Sequence, residues 1–313
     1  MTTGVLSLSP GLVRFGQLAA TIGLLALLWR IADGPETARI LATAEPVWLL
    51  AGIGALTVQT VLSAARWRLT AGQLGINLPP MHALHEYYLA QMVNQAVPGG
   101  VVGDAGRAVR SRGQAGLLAA GQAVIFERIA GQIAMFLAMA SAFLVTLLIP
   151  GGFDWPTWLV PPVLLMIAIG VALPAALFSG AHLPGRLGAK LMSLWRVLGH
   201  ALAARKVLPM QIVLSAGTTL CNLAAFAFCA RAVGVVLPPV VILALVPLIL
   251  FTMLIPLTIS GWGVREGAAA ALFPLAGATA SEGFAASVAF GLVLLVAVLP
   301  GLLTLWLRSQ EDG

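Results

Sequence analysis

The sequence predicts an all-α polytopic membrane protein with about eight transmembrane helices and one re-entrant or broken segment, forming a single domain over residues 1–313. Three observations predict it. Of 313 residues, 60% are hydrophobic and only 9% charged, where soluble domains carry about a quarter charged residues. The mean hydropathy is +0.99. The apolar residues gather into nine segments, most of them near the ~20 residues that a helix needs to cross a ~30 Å hydrocarbon core. A soluble enzyme is excluded, because 17 Lys and Arg with 11 Asp and Glu cannot cover a water-soluble globule of this size. A disordered chain, a disulfide scaffold and a collagen are excluded too: apolar content is high, cysteines number two, and the 34 glycines show no three-residue period.

The first span, about 15–31, follows Arg14 and runs into Trp29 and Arg30 with no small-x-small cleavage site directly after it, so it is expected to be an uncleaved anchor. The second covers about 47–65. Segment 82–97 carries His82, His85, Glu86, Gln91, Asn94 and Gln95. It is too polar to face lipid and must be buried in protein or line a cavity. Spans follow at about 128–149 and 157–178. The stretch 186–206 sets Leu187, Leu191, Leu194, Trp195, Leu198 and Leu202 on one stripe, away from Arg186, Lys190 and Arg196; it is predicted to be an interfacial helix lying on headgroups. The next span, 207–230, holds Cys221 and Cys229, which lie roughly 12 Å apart on a straight helix. That excludes a bond between them and leaves them packing residues. The last three segments are 238–258, 264–280 and 284–307. Of these 264–280 is the weakest, since it opens with Arg265 and Glu266, contains Pro274 and is rich in alanine.

Charge sets the expected topology. With 82–97 re-entrant, both termini are cytoplasmic, and that side holds Arg14, Arg66, Arg68, Arg107, Arg110, Arg112, Arg186, Lys190, Arg196, Arg205, Lys206 and Arg308. Only Arg30, Arg39 and Arg231 face outward. A full crossing by 82–97 would put the 186–206 cluster outside and break the rule. Basic residues placed between apolar runs match anionic headgroups, not nucleic acid.

Two breaks in the apolar pattern carry the information about function. The first runs from Asn94 through Pro98, Gly99, Gly103 and Asp104 to Arg107; the second runs from Pro256 through Gly261 and Gly263 to Arg265 and Glu266. In each, a proline ends a helix and a glycine five residues later permits a reversal. Paired Gly/Pro-interrupted segments in two halves of a membrane chain point to a transporter site, because unwound backbone offers polar groups at membrane depth. An internal pseudo-repeat is suspected on this ground. Asp104, Arg107, Arg110, Arg112, Glu127, Arg128, Arg265 and Glu266 surround the breaks. Neighbours on a helix point about 100° apart, so Glu127 with Arg128, and Arg265 with Glu266, are expected to find partners across helices instead. Two readings stand: ion pairs that hold a split bundle together, or arginine forks that grip a phosphate while the carboxylates orient them.

The order N…PGG…GD..R, then Glu127-Arg128 opening a span, then P…SGWGVREG resembles the transmembrane region of the lysylphosphatidylglycerol synthase and flippase family, over roughly 15–307. Carried over, the first motif falls on Asn94, Pro98, Gly99, Gly103, Asp104 and Arg107, the second on Glu127 and Arg128, and the third on Pro256, Gly261, Gly263, Arg265 and Glu266. Where family members have two glycines before the aspartate, this chain has Val102-Gly103. The resemblance implies an eight-helix bundle in a bacterial inner membrane that handles polar or anionic lipids and, in fused members, moves an aminoacylated lipid between leaflets. No soluble synthase domain follows the last span, so lysine transfer is not expected.

The expected function is thus a lipid translocase whose partners are membrane lipids, with the headgroup held by Arg107, Arg128 and Arg265 and oriented by Asp104, Glu127 and Glu266. A membrane-embedded transferase on a lipid-linked glycan or aminoacyl lipid is the alternative, although no Asp-x-Asp pair and no phosphate-cradling GxxxxGK[ST] loop occur. An accessory scaffold is the third. No cofactor or metal is expected: His82, His85 and Glu86 supply only part of a metal shell and read as a solvated helix start.

Overall fold

The computed structural model describes residues 10–302 apart from 98–99, 149–152 and 256. Among the described residues every regular element is helical. Helix α1 (Pro10–Ile31) turns through 92° into α2 (Gly34–Ala42). The corner is Asp33, at φ 48°, whose Oδ1 accepts the Glu36 N–H at 3.3 Å and so caps α2. Next come α3 (Pro46–Gln73), α4 (Pro80–Ala96), α5 (Val102–Arg110), α6 (Gly116–Leu148), α7 (Val160–Ala181), α8 (Arg186–Ala203) and α9 (Leu208–Ala232). The described residues close with α10 (Pro239–Phe251), α11 (Val264–Leu272) and α12 (Ala280–Ala297).

Among the described residues five helices, α3, α6, α7, α9 and the Ala280–Leu302 stretch begun by α12, are individually long and apolar enough to cross a membrane; the bent pair α1 and α2 makes six. The expected count of eight is not confirmed among the described residues, where segments 238–258 and 264–280 form helices of 13 and 9 residues. At 1.5 Å per residue these reach about 20 and 14 Å, short of the ~30 Å core. Instead α10 packs beside α11, as α4 packs beside α5. The second break thus builds a helix-break-helix hairpin like the one expected only at 82–97.

The two hairpins belong to an inverted repeat. Helices α3 and α9 pack antiparallel: Gly52 lies against Cys229, Leu62 against Gly217, and Thr70 is bonded to Gln211. Gly52 and Gly217 let the two backbones approach closely, as small residues do where helices meet in lipid. Each of these helices then ends in the same turn. Gly75-Ile76-Asn77-Leu78-Pro79-Pro80 leads into α4, and Gly234-Val235-Val236-Leu237-Pro238-Pro239 leads into α10. Gly75 and Gly234 sit at φ +81° and +89°, where a Cβ would be strained, and the Ile76 and Val235 N–H groups close the turns on Ala71 and Ala230 at 3.0 and 2.9 Å. Helix α6 packs on α9 as α12 packs on α3. Because α3 and α9 run in opposite directions, the α4–α5 and α10–α11 hairpins enter from opposite ends of the bundle.

Helix α8 forms at the expected place and packs on α7, with the Trp195 ring 5.8 Å from Phe178. Helix α7 lies on the periphery, almost wholly exposed. The core is centred on Phe226 of α9, whose ring meets Phe273 and Phe290 at 6.2 and 5.3 Å. The long helices are thereby fixed around the point where the hairpin tips converge.

Candidate functional site: two breaks around a polar cavity

At the first break Asn94, in the last turn of α4, ties the tip together. Its Oδ1 accepts the Gly103 N–H at 2.8 Å and its Nδ2 donates to Asp104 Oδ2 at 2.9 Å. Helix α5 starts in backbone contact with α4, since a Cβ on Gly103 would lie 2.0 Å from the Ala90 carbonyl oxygen. Asp104 then begins a buried relay. Its Oδ1 accepts from Arg107 Nη2 at 2.9 Å, and the same nitrogen reaches Glu127 Oε2 at 3.3 Å. The Arg107 guanidinium lies between the rings of Trp67 and Tyr87, 4.5 Å from each centroid, so its face is met by π density. Glu127 Oε1 accepts from Arg66 Nη2 at 2.7 Å and from the Tyr87 hydroxyl at 3.2 Å. Arg66 continues to Thr218 and Ser215 of α9 at 3.0 and 3.4 Å. Arg128 pairs with Asp104 and donates to the Gly100 carbonyl at 2.9 Å. Three arginines against two carboxylates leave the relay at +1.

Glu127 therefore finds its partners across helices, as expected. Glu86 departs from expectation. It is not part of a solvated helix start but fully buried, because Arg110 folds back from α5 and donates to its Oε2 at 2.6 Å.

At the second break the backbone reverses at Ser260, φ 50°. The Ile259 N–H donates to Thr21 Oγ1 of α1 at 3.0 Å. Glu266, third residue of α11, folds back so that Oε2 accepts the Gly263 N–H at 2.6 Å. This capping geometry brings its Oε1 to Arg265. Arg265 thus pairs with its sequence neighbour, contrary to the expectation of a partner across helices: the 100° rule holds for side chains pointing outward, and here the carboxylate is drawn over the helix start. Ser287 of α12 completes the site, accepting from Arg265 Nε at 3.0 Å and donating to Glu266 Oε1 at 3.2 Å. Trp262 and Phe290 flank the Arg265 guanidinium at 5.1 and 5.2 Å.

The two breaks meet. Ser260 Oγ donates to the Asn94 carbonyl at 3.0 Å, joining the tips of the opposed hairpins. Beside this junction lies a cavity of about 320 Å³. Its walls include Gln59, Gln132 and Asn222, each close to the midpoint of α3, α6 or α9, together with Arg66, Glu127 and Arg128. Met135, Phe251 and Leu254 line its apolar part. A smaller cavity of about 210 Å³, bounded by Asn94, Gly100 and Ser260, adjoins the breaks. Arg128 lines both, with 42% of its side chain exposed. Arg107 and Arg265 line neither and are almost fully buried in their ion pairs. Gly261 and Gly263 hold the second turn at φ +77° and +89°. Pro98, Gly99 and Pro256 fall outside the described residues.

Arg66 was read from sequence as an end-of-span charge on the cytoplasmic side. It is buried because α3 runs on to Gln73, and the signal was present: Thr60, Ser63, Arg66 and Thr70 recur at helical spacing on one face. Chemically, the arrangement offers a polar, net-cationic chamber at half depth, open beside apolar wall.

No curated protein and no solved structure matches the chain. A family model does: the one described as lysylphosphatidylglycerol synthase TM region matches residues 14–301, which include both hairpins, both breaks and the chamber between them, and the chain belongs to that family.

Proposed function

We propose that the protein is a translocase for a phosphate-bearing or otherwise anionic lipid in a bacterial inner membrane, with both termini in the cytoplasm and the cavity between the breaks receiving the headgroup. The observation that carries this reading is the position of the cavity. It lies at mid-depth where two oppositely entering broken hairpins touch, and inverted repeats with discontinuous helices are the construction by which transporters expose one site alternately to each side. Arg128 is the direct headgroup contact. It is the arginine shared by both cavities, and its planar fork suits a phosphate. Asp104 holds Arg128, and an incoming phosphate competes with that carboxylate. Arg107 and Arg265, with Glu127 and Glu266, act as positioning residues that fix the two tips. Asn94, Gly103, Gly261 and Gly263 shape the tips, and Pro98, Gly99 and Pro256 belong to the same two breaks.

The test is reconstitution into liposomes containing fluorescent anionic phospholipid, with dithionite access to the inner leaflet as readout. Wild type is expected to expose inner-leaflet lipid, and Arg128→Gln, correctly folded by size-exclusion chromatography, to lose that activity. No lipid movement across anionic, aminoacylated and polyprenyl-linked lipids, or full activity in Arg128→Gln, would refute the reading.

A further inference from the structure

On the opposite side of the α6–α9 seam from the polar cavity lies a larger groove of about 500 Å³. Ala134 and Leu137 of α6 and Ala216 and Leu220 of α9 form its apolar walls, and Thr219 is shared with the polar cavity. One polar side chain stands out at its α8 end. Gln211 is 4% exposed, lines the groove, and its Oε1 has no hydrogen-bond partner. The orientation of this amide follows from its neighbours. The Thr70 hydroxyl spends its single proton on the Arg66 carbonyl at 3.0 Å, so it can only accept from Gln211, whose Nε2 lies 2.8 Å away. The acceptor Oε1 is therefore the atom left without a partner.

We propose that this groove holds one acyl chain of a phospholipid drawn from the leaflet on the α8 side, with Gln211 Oε1 accepting a hydrogen bond from an N–H or O–H donor in its headgroup. Three features match that occupant. From Gln211 to Leu223 the groove follows α9 for twelve residues, about 18 Å, close to the ~15 Å tail depth of one leaflet. Its single orphan acceptor sits in the first turn of α9, at the end where headgroups lie. Arg205 and Lys206, both exposed in the α8–α9 turn, flank that end with positive charge for the phosphate. The proposal deepens the translocase reading by naming the place where a lipid waits beside the polar cavity, with only the seam between α6 and α9 to cross.

The test uses phosphatidylglycerol vesicles doped with diazirine-tailed phosphatidylethanolamine or phosphatidylcholine. These two probes share a net charge and differ in headgroup N–H donors. Labelled peptides are mapped by mass spectrometry. Labels are expected to concentrate in 130–138 and 211–223, with the ethanolamine probe exceeding the choline probe by roughly 2- to 10-fold, the worth of one net hydrogen bond. Gln211→Leu should make the two probes equal. Ala216→Trp, at an exposed wall position, should remove the groove label for both, and Ala134→Trp on the facing helix should do the same. Label spread over α7 and the groove alike and unaffected by either tryptophan would overturn the proposal, as would equal labelling by the two probes in wild type. Lipid-movement assays on the same vesicles separate the two readings. Groove labelling as expected with no lipid movement would refute the translocase and leave the groove standing; full movement in an Ala216→Trp protein that has lost its label would remove the groove from the path and leave the translocase standing.

Discussion

Glu127→Gln is the sharpest probe of the relay, because it changes one charge and no volume. The carboxylate is 1% exposed and faces two arginines, Arg66 at 2.7 Å and Arg107 at 3.3 Å. Arg107 keeps Asp104 when Glu127 is neutralised, so the loss falls on Arg66, whose other contacts are the hydroxyls of Ser215 and Thr218. A buried charge stripped of its counter-charge costs about 3–5 kcal/mol. In a chain of this size that corresponds to a fall in Tm on the order of 10 °C. Tryptophan fluorescence melting in detergent reads it directly, since Trp67 stacks on Arg107 within the relay. The double variant Arg66→Met/Glu127→Met removes both charges and should melt above the single Glu127→Gln, as replacement of a buried pair by apolar groups does. A Tm within about 2 °C of wild type for the single variant, or a double variant that melts lower still, would refute the relay's structural role.

Arg128→Gln should leave melting nearly unchanged, because a partly exposed pair is worth at most about 1 kcal/mol, while lipid movement in vesicles falls away; a large loss of stability would return Arg128 to the structural relay. Gly103→Ala and Gly106→Ala form a contrasting pair one turn apart. The first drives a Cβ to 2.0 Å from the Ala90 carbonyl oxygen and the second meets only the flexible Arg110 Nη1 at 2.8 Å, so melting should drop steeply for Gly103→Ala and shift by less than about 1 kcal/mol for Gly106→Ala. Glu266→Gln leaves Arg265, fully buried, without a counter-charge and should cost about 3–5 kcal/mol, again seen as a lowered melting temperature; an unchanged melting curve would show that Ser287 suffices.

The long helices were legible because hydropathy alone demands them, and the polar segment 82–97 was legible because no lipid-facing helix tolerates its residues. The second hairpin was not, for a physical reason: α10 and its flanks are apolar enough to read as a span, and only the end of the helix at Phe251, before the break, shows otherwise. The motif residues Asn94, Gly103, Asp104, Arg107, Glu127 and Arg128 are legible as one set in the sequence, whereas Arg66 reads there as a cytoplasmic end-of-span charge and not as a member of the relay. Composition assigns a charge near the end of an apolar run to the interface, and only the helix's continuation to Gln73 buries it. The Gly-x-x-Leu-Pro-Pro turn, present at both 75 and 234, was the repeat signal the loose similarity of the breaks obscured.

A broken helix at membrane depth leaves carbonyl and N–H groups that lipid cannot satisfy, and the partners chosen here couple the two halves. The Asn94 carbonyl of the first tip is met by Ser260 of the second; the Gly100 carbonyl is met by Arg128, which also holds Asp104. Moving the first tip alone would leave the partly buried Asn94 carbonyl without its Ser260 donor, unless something else supplies a donor. Water in the cavity can supply one, but a phosphate cannot, since it brings acceptors. On the proposed reading, an anionic headgroup that takes Arg128 from Asp104 and Gly100 removes one tie of the first tip to α6 and leaves the Arg107–Glu127 pair and the Ser260 bond in place, so the tips would shift as a pair. Ser260→Ala separates these steps. If the tips move together, the variant should keep headgroup binding, measured as protection of Arg128 from an arginine-directed reagent in anionic vesicles and mapped by mass spectrometry, and lose lipid movement. If Ser260→Ala moves lipid at the wild-type rate, the tips act independently and the inverted pair is only a scaffold for the cavity.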